Sequence, residues 1–152
     1  MTTSNNLASP LLLVEDSDED YVALVRAFQQ AGLQAPHHRC RDGDEAIEYL
    51  HGTGRYAASG SAPRPSIILL DLNLPGTDGR EVLQVVKSDR SLSAIPIIVM
   101  TTSANPSDIR ECYRRGVNGY QIKTSNYEGF KREIQSTVEY WFRTAVIPAM
   151  VE

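Results

Sequence analysis

The chain has 152 residues, 41% of them hydrophobic and 22% charged, a composition that fits one ordinary globular domain and leaves little room for a second. Its 15 Lys and Arg against 19 Asp and Glu give a formal charge of -4, so no general positive surface exists to collect phosphates, and nucleic acid is not an expected partner. The longest apolar stretches, such as Leu11 to Val14 and Ile67 to Leu70, fall far short of the roughly 18 to 20 residues that span a bilayer, so no membrane segment is expected.

Met1 to Pro10 lacks the basic and apolar regions of a secretory signal, and residues 1–9 read as a flexible tail. Cys40 and Cys112 make no disulfide framework and fit a reducing cytoplasm. After the tail, short apolar runs alternate with longer amphipathic stretches, the pattern of βα units wound into a parallel sheet. The first run is Leu11 to Val14. A helix over Ser17 to Gln30 follows, with Val22, Val25 and Phe28 on one face and Gly32 as its stop. A weaker strand falls around Ala35 to Arg41, and a helix over Asp44 to Leu50. His51 to Pro65, rich in Gly, Ala, Ser and Pro, reads as a surface connection without assigned function.

The third run is Ile67 to Leu70, followed by a helix over Asp78 to Lys87. The fourth is Ile97 to Met100; its helix opens at Asn105-Pro106, a cap followed by proline at the first helical position, and groups Ile109, Cys112 and Tyr113. Tyr120 to Ile122 is the fifth run. The last helix begins at Ser125, whose spacing to Glu128 fits a capping box, and repeats apolar residues at Phe130, Ile134, Val138 and Trp141.

In open parallel sheets, ligands bind outside the carboxyl ends of the strands. Polar residues stand at those positions: Glu15 and Asp16 after the first run, Asp71 and then Asn73 after the third, Thr101 and Thr102 after the fourth, and Lys123 after the fifth. Three converging carboxylates repel one another, and a divalent cation relieves that repulsion. Mg2+ suits a shell of hard oxygens, and a lysine and a hydroxyl beside it suit the oxygens of a phosphoryl group. The neighbouring Asp18, Glu19 and Asp20 read only as acids favouring a helix N-terminus. His37 and His38 point to opposite faces of a strand and cannot share a metal.

Leu-Val-Glu-Asp at 13–16, Leu-Leu-Asp-Leu-Asn-Leu-Pro-Gly at 69–76, Met-Thr-Thr at 100–102, Gly-Tyr at 119–120 and Lys123 together resemble the receiver domain of two-component response regulators. The resemblance covers residues 10–142. It implies a doubly wound α/β, flavodoxin-like fold with strand order 2-1-3-4-5. It also implies that Asp71 accepts a phosphoryl group from the phosphohistidine of a sensor histidine kinase. Glu15, Asp16, Asp71 and the backbone carbonyl of Asn73 would then hold Mg2+. Lys123 would contact the phosphoryl group, Thr101 would move toward it, and Tyr120 would switch its exposure in step. The family usually has Pro after the lysine; here Thr124 follows.

A signalling protein, not an enzyme, is expected, with no output domain following. A Mg2+-dependent phosphatase would need a second acid where Asn73 stands, and an acidic rim disfavours a flavin-binding protein. Residues 143–152 form a carboxyl-terminal arm. Tyr140, Trp141 and Phe142 are consecutive and cover some 200° of a helix, more than one face of a domain can bury. With Val146, Ile147 and Pro148 they are expected to form a homodimer interface, the alternative being that Pro148 ends the helix and the apolar tail folds back on its own domain. The Tyr-Trp-Phe-Arg-Thr-Ala-Val-Ile-Pro ending and Thr-Thr-Ser-Ala-Asn-Pro-Ser-Asp at 101–108 are similar to stand-alone response regulators of bacterial phytochromes, which implies a phytochrome kinase as partner.

Overall fold

The computed structural model describes residues 10–124 and 126–151. The expected tail at 1–9 and the expected cap at Ser125 lie outside them. Five strands, β1 (Leu11–Val14), β2 (His37–Cys40), β3 (Ile67–Leu70), β4 (Ile97–Thr101) and β5 (Gly119–Ile122), form one parallel sheet in the order β2-β1-β3-β4-β5. Five helices connect and flank them: α1 (Asp18–Gln30), α2 (Gly43–His51), α3 (Gly79–Ser88), α4 (Pro106–Arg114) and α5 (Tyr127–Glu139).

Side chains alternate across a strand, so each strand feeds two cores. Leu12, Val14, Ile68, Leu70, Ile97 and Val99 pack with Ala46, Tyr49, Val82, Leu83, Val86 and Cys112 from α2, α3 and α4. Leu11, Leu13, Ile67, Leu69, Ile98 and Met100 pack with α1 and α5. Strands covered on both faces read as unbroken aliphatic runs, which is why β1, β3 and β4 are visible in the sequence. β5 sits at one edge, and its last residue, Ile122, is exposed.

Helix ends follow local chemistry. The Ser17 side chain accepts from the Asp20 N–H, Asn105 accepts from the Ser107 N–H, and Gly32 takes φ 74° just past α1, where the Leu33 N–H bonds the Phe28 carbonyl. Three expectations are corrected. α1 buries Leu24, Ala27 and Phe28, while Val22 is exposed, because a strict three-residue spacing drifts about 60° per step around a helix of 3.6 residues per turn. α5 is capped by Asn126, which accepts from the Gly129 N–H. On α4 the expected group is divided: Cys112 is buried and Tyr113 exposed.

The connection after α2 is also more structured than its composition indicates. Gly54–Tyr56 makes one 3-10 turn, and Tyr56 packs edge-on against Tyr49 at a 5.0 Å ring-centroid distance.

The arm departs most from expectation. Phe142 continues the four-residue stripe of Phe130, Ile134 and Val138 along α5 and is buried in the same core, and Ile147 folds back beside it. These two residues are therefore removed from the expected dimer surface, because the chain's own sheet already covers them. Trp141 is half-buried, whereas Tyr140, Val146 and Pro148 remain exposed. A π turn over Tyr140–Thr144, closed by the Ala145 N–H on the Tyr140 carbonyl, redirects the chain between the two sets.

α3 begins directly behind the end of β3. A Cβ on Gly79 would collide with the Asp71 carbonyl oxygen and stand 2.6 Å from the Leu72 Cα. Gly79→Ala is expected to destabilise the fold by about 1–3 kcal/mol, the usual cost of overpacking, measured as a lowered urea midpoint at unchanged m-value.

Candidate functional site

The parallel register sets the site. Leu11 pairs with Ile67 and Val14 with Leu70, so β1 and β3 end level. The Asp71 N–H continues the ladder to the Val14 carbonyl at 3.0 Å, and the Glu15 N–H continues it to the Cys40 carbonyl at 3.0 Å. On the other side, the Lys123 N–H bonds the Thr101 carbonyl at 2.7 Å. Glu15, Asp71, Thr101 and Lys123 thus leave four adjacent strands at one rim.

Their side chains meet at the Lys123 ammonium. Nζ donates to Glu15 Oε1 at 2.6 Å, Asp20 Oδ2 at 2.8 Å and Asp71 Oδ2 at 2.9 Å. The lysine side chain is 6% exposed, so this is a desolvated cation shared among three carboxylates. Burial alone would lower the Lys123 pKa. The Glu15 charge, the hydrogen bonds to Asp20 and Glu15, and the Asp71 charge outweigh burial and raise it. For Glu15 the balance goes the other way: burial dominates, the Lys123 charge and hydrogen bond oppose it, the Asp71 charge adds to it, and the pKa is pushed up to about 7. Protonation is thus favoured at Glu15 chiefly by burial and at Lys123 by the acids around it.

Asp71 is oriented from a second side, because its Oδ1 accepts the Asn73 N–H at 3.1 Å. The Asn73 amide reaches Thr101 Oγ1 at 3.4 Å, and that oxygen also accepts the Ser103 N–H at 3.4 Å. Thr101 is fully buried. The Tyr120 hydroxyl donates to the Ser103 carbonyl at 2.8 Å while its half-buried ring packs on the sheet. Asp16 is exposed at the rim, next to the buried Glu15, and its backbone carbonyl accepts from Arg39 Nη2 at 3.1 Å. The Lys123–Thr124 peptide is trans.

Two residues in this assembly were not expected from the sequence. Asp20 is more than a helix-end acid: it contacts Lys123. Arg39, from β2, holds the Glu15 carbonyl with Nε at 3.0 Å and pairs with Asp18 at 2.7 Å, and its guanidinium lies 4.5 Å from the Tyr21 ring centroid. The available signal for Asp20 was position, since the first turn of the helix after β1 must pass over the strand ends. No motif marks Arg39. Beside the rim, a groove of about 680 Å³ runs between α1 and the start of α5, lined by Asp20, Val22, Lys123, Thr124, Tyr127 and Phe130. Among the described residues, no helix is long and apolar enough to cross a membrane.

The oxygens of Glu15 and Asp71 are hard donors suited to a cation such as Mg2+, and the ammonium beside them suits an anionic group. The chain is similar along most of its length to known proteins. The probable methanogenesis regulatory protein FilR2 of Methanothrix harundinacea is 40% identical over 131 residues, covering 86% of this chain and 82% of the relative. Response regulator Rcp1 of Synechocystis is 37% identical over 149 residues, covering 98% of this chain and 99% of the relative. The solved Mn2+-bound form of response regulator Rcp1 has a TM-score of 0.87 at 36% identity, covering 92% of this chain and 99% of that structure. The phosphorylated cyanobacterial phytochrome response regulator RcpA has a TM-score of 0.85 at 39% identity, covering 92% of this chain and 98% of that structure. The response regulator receiver domain family matches residues 11–135, which include every rim residue from Glu15 to Lys123, and the chain belongs to that family.

Proposed function

We propose that this chain is a phosphorylation-dependent signalling switch whose Asp71 takes a phosphoryl group from the phosphohistidine of a sensor histidine kinase. The observation that carries the reading is the convergence of Glu15, Asp71 and Lys123, from three separate strand ends, on one buried nitrogen. Similarity over nearly full length to Rcp1, and in structure to RcpA, supports a bacterial phytochrome as the kinase. Residues 10–142 are the receiver unit of this proposal and 143–152 its arm.

Transfer forms a bond from a carboxylate oxygen of Asp71 to phosphorus as the bond from phosphorus to the imidazole nitrogen breaks, and the histidine leaves with its electron pair. The Asn73 N–H holds one Asp71 oxygen, fixing the direction from which the other meets the donor. Lys123 holds the opposite side of the carboxylate and is placed to follow the negative charge onto the phosphoryl oxygens. Asp20 is a positioning residue, anchoring the lysine from α1.

The donors at the rim fit Mg2+, which Glu15, Asp16, Asp71 and the Asn73 carbonyl would hold, and which supplies positive charge between the carboxylates and the incoming phosphoryl group. The groove beside α1 offers the path by which a partner helix bearing the phosphohistidine reaches Asp71. After transfer, Thr101 moves toward the phosphoryl group, the Ser103 segment follows, and Tyr120 loses the carbonyl that tethers its hydroxyl. The surface of α4, β5 and α5 then carries the signal, or the phosphoryl group passes on by relay. The arm, through exposed Tyr140, Val146 and Pro148, pairs two copies of the chain.

Incubation with Mg2+ and acetyl phosphate is expected to label the wild type once, and Asp71→Ala not at all. Chelation of the divalent ion abolishes labelling. Asp20→Asn slows it by about three- to tenfold, ~0.7–1.4 kcal/mol in the barrier. Labelling of Asp71→Ala at the wild-type rate would overturn the assignment.

Because the raised Glu15 pKa means that the folded state binds a proton more tightly than the unfolded chain, its contribution to stability is full below about 4.5 and is lost as pH rises through about 7. A bound cation favours the ionised form. Calorimetry in buffers of different ionisation enthalpy should therefore show Mg2+ binding with proton release near pH 6.5, and tighter binding at pH 8 than at pH 6. Equal affinity with no proton release would contradict the site described.

For the arm, light scattering should give about twice the 16.8 kDa chain mass for the wild type and the single mass for Val146→Glu. Val146 is 75% exposed, so the substitution leaves the core intact. A mutant that stays dimeric removes the arm from the interface.

A further inference from the structure

On the face of β2 away from α1, two residues with metal-binding side chains stand side by side. His38 and Cys40 are two apart on the strand and so point the same way. Asp42 caps α2, accepting the Glu45 N–H at 2.7 Å, and this turn brings the Glu45 carboxylate back toward the strand. One ligating atom from each of His38, Cys40 and Glu45 lies within 4.8 Å of the others, and this is the one such trio of His, Cys, Asp or Glu among the described residues.

The Tyr56 oxygen already occupies the space among them. His38 Nε2 donates to it at 2.7 Å, and it donates to Glu45 Oε2 at 2.6 Å. A nitrogen and a carboxylate oxygen thus already meet at one atom, with the Cys40 sulfur within 4.8 Å of both ligating atoms.

We propose that His38, Cys40 and Glu45 form a second metal site, distinct from the carboxylate rim, for a thiophilic divalent cation of the zinc class. The mixed N, S and O donor set selects such an ion over Mg2+, which prefers oxygen alone. Bonds of about 2.0 to 2.3 Å place tetrahedral ligands roughly 3.3 to 3.8 Å apart. The existing spacing therefore closes on an ion by side-chain movement, without a change in the fold.

On binding, Cys40 releases its thiol proton to solvent, and the His38 proton moves from Nε2 to Nδ1 so that Nε2 can ligate. Tyr56, carried on the 3-10 turn after α2, gives up the central position, and a water takes the fourth place. The surroundings are already set for the ligands. Tyr49 stacks on His38 at 4.8 Å between ring centroids, the Arg41 N–H holds Glu45 Oε1 at 3.1 Å, and Arg55 lies 3.8 Å from that oxygen. An ion here would tie β2 to α2.

Co2+ is a direct probe, added under reducing conditions with Mg2+ in large excess to keep the rim's hard-oxygen site occupied. The wild type is expected to bind one equivalent, with a sulfur-to-cobalt charge-transfer band and the strong visible bands of four-coordinate cobalt, and Zn2+ should displace it. The spectrum should persist in Cys112→Ser and in Glu15→Gln, and should vanish in Cys40→Ser and in His38→Gln. Glu45→Gln should weaken binding at least tenfold. If Cys40→Ser does not fold, His38→Gln decides, because that side chain is only half-buried. Folded wild-type protein without the charge-transfer band, or a band that survives loss of His38 or Cys40, overturns the proposal.

Discussion

The arrangement of the rim depends on one cation. Without the Lys123 ammonium, Glu15 and Asp71 would be two buried carboxylates at neighbouring strand ends, with Asp20 leaning toward them from α1. Like charges at that spacing, screened by protein and not by bulk water, repel by several kcal/mol. One ammonium against three carboxylates leaves an excess of negative charge, while burial, with a smaller contribution from the Asp71 charge, raises the Glu15 pKa. The rim is therefore held together and at the same time left short of positive charge. That is the condition under which a further cation is bound without any rearrangement of strands, because the sheet register, and not the ion, brings the oxygens together.

Arg39 performs the complementary task from below. It bonds the carbonyls of Glu15 and Asp16, so the backbone that carries both acids is fixed even though their side chains repel. Its partner Asp18 and the lysine's partner Asp20 are two positions apart in the first turn of α1. Two helical positions span about 200°, which sends the two carboxylates to opposite sides and to different cations. The start of α1 is thus pinned to the sheet twice, once through β2 and once through β5.

Much of this was legible in the sequence where one physical cause dominates. Leu11 to Val14, Ile67 to Leu70 and the Ile97 run are aliphatic because both faces are covered, and the rim acids and Lys123 follow because strand ends are where ligands approach. What the sequence does not display depends on rotation about a helix axis or on contacts distant in sequence. The spacing of Val22, Val25 and Phe28 places the buried face of α1 off Leu24, Ala27 and Phe28, and Asp20 reads as a helix-end charge although its angle around α1 points it at Lys123. Arg39 carries no pattern at all. Phe142 was assigned to a partner surface because three consecutive aromatics cannot share one face. They do not share one: Tyr140 faces solvent, and Phe142 completes the stripe that begins at Phe130.

The connection between the rim and the opposite end of the β4–α4 loop runs through groups with few alternatives. Thr101 Oγ1 accepts from the amide of Asn73 and from the Ser103 N–H, the Ser103 hydroxyl donates to Asp108 at 2.6 Å, and Asp108 pairs with Arg80 on α3. Arg80 in turn pairs with Asp78, the cap of α3. Contiguity of this kind does not by itself make a switch; coupling needs an element with two arrangements. Under the proposed function, Tyr120 is that element. Its ring is half-buried, and its hydroxyl is held by a single carbonyl belonging to the residue that also binds Thr101. Under the proposed function, movement of Thr101 toward added charge at Asp71 would draw that carbonyl away. The phenol would then have to find another partner inside or move to water, so a small displacement at the rim would become a discrete choice at the surface of β5.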